Sequence, residues 1–182
     1  MYRKLKQDYL KLPHTVRLFI QRALLFFVVW KMVYDGFLQP RRIPDGWLTK
    51  ITGEMTAWLV TIVYLPAHAF LSNERSFIFM KGQKIIAIAD GCNAFDLMVT
   101  YAAFLFCLPT NWKRTTLFIL SGIPTIFLLN IIRSGAIVWI NINYPNLFDL
   151  AHHYVFQILV YAFIFLCWTK YAQPFYGKHK KL

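Results

Sequence analysis

A thiol, a guanidinium and a pair of imidazoles stand out among the 182 residues: Cys92, Arg133 and the adjacent His152 and His153. As a set they support acyl transfer. The thiolate is the nucleophile, and a neighbouring cation raises the thiolate fraction. Imidazole takes a proton from the thiol or the incoming amine and returns one to the leaving amine. Arginine is charged at every working pH, and its forked donors suit an oxyanion or a substrate carbonyl. Each residue alone also has a blander explanation: a packed thiol, an arginine reaching to lipid headgroups, histidines at a helix start. Asp149 beside the histidines raises the question of a metal. No His-Glu-x-x-His pattern or distant third ligand accompanies it, so neither metal nor cofactor is expected. His68, in Leu65-Pro66-Ala67-His68, reads as structural.

The elements that must position these groups are membrane helices. Apolar residues make up 58% of the chain and charged residues 15%, against about 45–50% and about 25% in soluble domains, and the mean hydropathy is +0.44. A net charge of +12 would suit a nucleic-acid binder, but here the cations flank long apolar runs instead of covering a hydrated face. Nucleic acid is therefore excluded as a partner and the lipid bilayer expected. The sequence predicts one membrane domain over 1–182, all-α and polytopic, with five transmembrane helices, or six at most. The spans fall at about 18–38, 53–71, 92–109, 115–133 and 154–171. A basic N-terminal segment, 1–17, precedes the first and, lacking an A-x-A cleavage site, is expected to be retained. Before the third span, two β-rich runs within Ser76–Asp90 flank Lys81-Gly82-Gln83, the signal of a small extracytoplasmic β-hairpin that delivers the chain to Cys92. Residues 134–151, interrupted by Asn141, Asn143 and Pro145, read as an interfacial segment.

Charge orients the chain. With alternating loops, 39–50, 110–114 and 169–182 carry nine cations and 72–91 with 134–153 only three, which puts the first group in the cytoplasm. Cys92, Arg133 and the histidines then share the outer side. Cys107, 15 residues on and about 22 Å down a helix, lies near the other face, with Cys167 at similar depth. Five strict alternations also put Arg3, Lys4, Lys6, Lys11 and Arg17 outside, against the same rule, and the sequence leaves this conflict open.

Three motifs occur in order: Gly91-Cys92-Asn93-Ala94 at a helix start after a β-rich stretch, Asn130-Ile131-Ile132-Arg133, and Asp149-Leu150-Ala151-His152-His153-Tyr154 before the last span. Their order and placement, over about residues 50–172, resemble the exosortase/archaeosortase family of membrane cysteine transpeptidases, in a compact member. The resemblance implies cleavage of a C-terminal sorting signal (short motif, transmembrane helix, basic tail) on exported, membrane-anchored proteins, and transfer of the new C-terminus to an acceptor through a thioester. It implies Cys92 as nucleophile, Arg133 as oxyanion or positioning group and His152 or His153 as acid/base, with Asn130 and Asn93 in support. It also implies a multi-pass protein of the cell (inner or cytoplasmic) membrane with its site on the extracytoplasmic face. One departure is Ala94, where the family often has Gly. The competing reading is a non-catalytic scaffold or chaperone of a secretion or polysaccharide export system, in which the same residues pack or touch headgroups. Substrate motif, acceptor and oligomeric state are not written in the sequence.

Overall fold

The structure is a computed structural model that describes residues 12–108 and 111–179, with side chains to residue 173. Most of the basic N-terminal segment, the end of the third expected span at Pro109 and the cations Lys180 and Lys181 lie outside the described residues.

Helix α1, His14–Val33, continues through a wider turn, Tyr34–Leu38, and a short one, Gln39–Arg41. Helix α2 spans Asp45–Val63. Three strands follow, β1 Ala67–Ser72, β2 Arg75–Met80 and β3 Gln83–Ala89, paired antiparallel in the order β1-β2-β3. A 3-10 turn, Asp90–Cys92, leads into α3, Phe95–Cys107. Helix α4, Trp112–Asn143, runs 32 residues; the chain then coils through 145–155 into α5, Phe156–His179.

The expected hairpin is present, with Lys81 and Gly82 both at positive φ (51° and 76°), the backbone of a tight two-residue connection. It is one strand larger than the sequence predicts. The span expected over 53–71 ends at Val63, and Ala67–Leu71 pairs with β2 in register Ala67↔Met80 to Ser72↔Arg75. Pro66 removes a donor just there, and in Ala67–Ser72 half-buried residues alternate with more exposed ones, a strand's period. The interfacial segment expected over 134–151 is likewise corrected. Asn141 does not end α4, because its amide finds an acceptor in the Ile85 carbonyl (2.9 Å), and the helix runs on to Asn143, whose amide bonds back to the Trp139 carbonyl (2.9 Å). Asn111 caps the start of α4: its side chain accepts the Lys113 N–H at 3.2 Å.

Two apolar clusters organise the molecule. One joins Tyr101 and Leu105 of α3, Ile126 of α4 and Val160, Ile164 and Tyr171 of α5 into a helix bundle. Gly122 admits the Tyr101 ring, which a Cβ would strike, and the Tyr101 hydroxyl donates to the Phe118 carbonyl at 2.9 Å. The second joins Ala57 and Val60 of α2, Ile78, Met80, Ile86 and Ile88 of the sheet, and Ile137 and Val138 of α4. At Gly53 a Cβ would collide with the Ser76 hydroxyl, so α2 lies directly on β2. Among the described residues, two helices are long and apolar enough to cross a membrane by length and composition: Trp112–Asn143 and Pro145–Gln173. Large apolar residues such as Leu24, Leu25, Phe27, Leu117, Leu120, Phe165 and Leu166 remain exposed, as a lipid-facing surface requires.

Candidate active site

Cys92 does not open α3, as the motif suggests, but closes the 3-10 turn three residues before it. Ala94 stands between them at φ +66°, a left-handed conformation that reverses the chain into the helix. The turn is pinned from both sides. On one, Asn130 of α4 donates its amide to the Cys92 carbonyl oxygen at 2.9 Å. On the other, Asn93 is 1% exposed: its Nδ2 donates to Asp45 Oδ1 at 2.8 Å and its Oδ1 accepts the Phe95 N–H at 2.9 Å. Asp45 is bonded again by the Tyr34 hydroxyl at 3.0 Å.

Asp90, which begins the turn, receives a bidentate pair from Arg42, Nε to Oδ2 at 2.8 Å and Nη2 to Oδ1 at 2.9 Å, and a third bond from the Thr49 hydroxyl at 2.6 Å. Burial alone would raise the Asp90 pKa, but the bonds from Arg42 and Thr49 outweigh it and hold the carboxyl below the usual carboxylate range. Arg42 also donates to the Asn73 carbonyl, tying the β1-β2 turn to the same cluster.

Cys92, Arg133 and His152 line one cavity of about 240 Å³, with β3 on one side and α4 on the other. Arg133 sits one helical turn above Asn130, whose Oδ1 accepts from its Nη1 at 3.3 Å; its Nε is buried without a protein partner. His152 stacks on Phe148 with ring centroids 5.7 Å apart and planes within 2°. Its Nδ1 is also buried and unpartnered. His153 is exposed, turned away so that its Nδ1 lies 3.2 Å from the Asp149 carbonyl, and does not line the cavity. Of the two histidines left open by the sequence, His152 shares the space with Cys92. Cys107 and Cys167 lie in the bundle away from that cavity, and His68 stacks on Phe79 on the sheet, at 5.5 Å.

A family described as transmembrane exosortase matches residues 13–169. The chain belongs to the exosortase family. No curated protein and no solved structure matches it. Within the exosortase resemblance, the place of Ala94 has a physical basis: the position two residues after the Cys needs positive φ, which glycine adopts without cost. Sequence reasoning missed Arg42, Asp45, Thr49 and Asp90. Their signal was the polar interruption Arg41-Arg42-Ile43-Pro44-Asp45 between apolar runs, read there only as a loop, and the acid two residues before Cys92.

Proposed function

We propose that the protein is a membrane-embedded cysteine transpeptidase that cleaves a C-terminal sorting signal of exported, membrane-anchored proteins and passes the new C-terminus to an acceptor amine. His152 takes the Cys92 proton and the thiolate adds to the scissile carbonyl. Arg133 holds the oxyanion while the carbon–nitrogen bond breaks and the imidazolium protonates the departing amine. The acceptor amine then attacks the thioester, gives its proton to His152 and releases Cys92. The observation that carries this reading is the convergence of Cys92, Arg133 and His152, from three distant segments, on one cavity in an exosortase-family chain.

We further propose four crossings, α1, α3, α4 and α5, where the sequence predicts five. Phe19 of α1 meets Phe104 and Trp30 meets Phe95, so α1 ascends along α3 toward the Cys92 end. Helix α2 starts there, at Asp45, and near its other end Leu59 meets Gly135, which is beyond Arg133 on α4. It never returns to the far end. With both termini in the cytoplasm, twelve of the twenty cations and one of the eight acids lie inside, and eight cations with seven acids outside. The positive-inside conflict of the N-terminal tail disappears. Helix α3, 13 residues and about 20 Å long, is shorter than the ~30 Å hydrocarbon layer, so Cys92 belongs at the outer membrane surface and not above it.

The test is co-expression with an exported protein that ends in a short motif, one apolar helix and a basic tail. Cys92→Ala should stay in the membrane and leave that protein full length. Normal processing by the variant would leave the scaffold reading standing.

A further inference from the structure

We propose that the free edge of β3 is the strand on which the substrate docks: an extended peptide segment adds to the sheet beside Lys84–Ile88 and so delivers its scissile carbonyl to Cys92. The proposal rests on the peptide-cleaving reading and specifies how that substrate is held. Strand β3 is the last in the order β1-β2-β3, with no strand on its far side among the described residues. An uncovered edge presents unpaired N–H and C=O groups and templates another strand unless something protects it. Here the cavity runs along that edge, walled by Lys84–Ile88 and, opposite, by Arg133, Ile137 and Asn141 of α4. One edge carbonyl already shows how the groups are used: Ile85 C=O accepts the Asn141 amide at 2.9 Å.

Continuity with the chemistry is covalent. The strand ends at Ala89, and the next three residues are the turn that carries Cys92. From Lys84 to Ala89 a strand advances about 17 Å, the reach of about five peptide residues. An acyl chain in the same space would leave the edge amides and the unpartnered Arg133 Nε without bonds, whereas a peptide backbone supplies both donors and acceptors.

The experiment uses the full-length chain with Cys92→Ala in lipid nanodiscs, so that no step depends on the thiol. A pool of hexapeptides bearing a photoreactive diazirine side chain is cross-linked and the adducts are mapped by mass spectrometry. Adducts should fall on residues 84–88 and 133–141, drop about tenfold when alternate peptide amides are N-methylated, a loss of about 1.4 kcal/mol, and drop equally with Ala87→Phe, which fills the slot from an exposed position. Adducts insensitive to N-methylation, or adducts mapping elsewhere, would each overturn the proposal. Docking that survives while the wild-type chain fails to process any substrate would instead sink the transpeptidase reading alone.

Discussion

The side chain of Asn130 donates to the backbone carbonyl of Cys92 at 2.9 Å, and its other atom accepts from Arg133 at 3.3 Å. One buried amide thus sets the distance between the proposed nucleophile and the proposed oxyanion group. Asn130→Asp keeps an acceptor for Arg133 but loses the donor to Cys92. It should destabilise the chain by about 1–3 kcal/mol and slow alkylation of Cys92 by an impermeant maleimide. Melting temperature in detergent and the labelling rate read the two effects.

The two histidines should separate cleanly. His152→Ala removes the imidazole that shares the cavity with Cys92, and substrate processing should fall by about 10²–10⁴. His153 is exposed and faces the Asp149 carbonyl, so His153→Ala should retain most activity. A reversed order in a processing assay would reassign the acid/base.

Asp90 gives the fold a defined acid limit. Its folded pKa is depressed, so the ion pair with Arg42 contributes fully above the ordinary carboxylate value of about 3.9 and is lost as pH falls through the lower folded value. Asp90→Asn should therefore cost about 1–3 kcal/mol at pH 7 and progressively less below about pH 4. Melting curves of wild type and variant across pH 3–7 should converge at the acid end.

Ala94 carries a conformational cost of about 1–2 kcal/mol for its left-handed backbone, partly offset by burial of its methyl, about 0.8 kcal/mol. Ala94→Gly exchanges one for the other and should be near neutral in stability and processing. Ala94→Val, β-branched at the same φ, should lower both sharply.

The four-crossing arrangement is checked by cysteine scanning in a background without native cysteines. Lys50→Cys and Lys81→Cys should react with an impermeant maleimide in intact cells, and Lys113→Cys only after permeabilisation. Five alternating spans would hide Lys50→Cys instead.

Much of this was legible in the sequence because the strongest signals were local. The Lys81-Gly82 turn, the apolar runs of α4 and α5 and the three motifs each lie within a few residues. What could not be read depended on contacts between distant segments. Asp45 finds Asn93 and Arg42 finds Asp90, 48 positions apart in each case, and nothing in either neighbourhood names its partner. Residues 53–71 failed for a related reason. Composition over that window averages a helix and a strand into one hydrophobic run, and only the sheet, by offering β1 a partner in β2, divides it. His152 and His153 differ by one position, a rotation of about 100° on a helix, and only the place of Phe148 and the cavity distinguishes their surroundings.

The order of the site along the chain has a consequence for biosynthesis. Cys92 leaves the ribosome about forty residues before Arg133 and about sixty before His152, and the cavity is enclosed only when the segment after α4 folds back against β3. For about sixty residues of synthesis, a third of the chain, Cys92 stands without His152, and for about forty of them without Arg133. On the proposed roles, the thiol gains its acid/base partner only when the segment leading into α5 is in place, so a half-inserted molecule would be chemically silent and completed insertion would license the reaction.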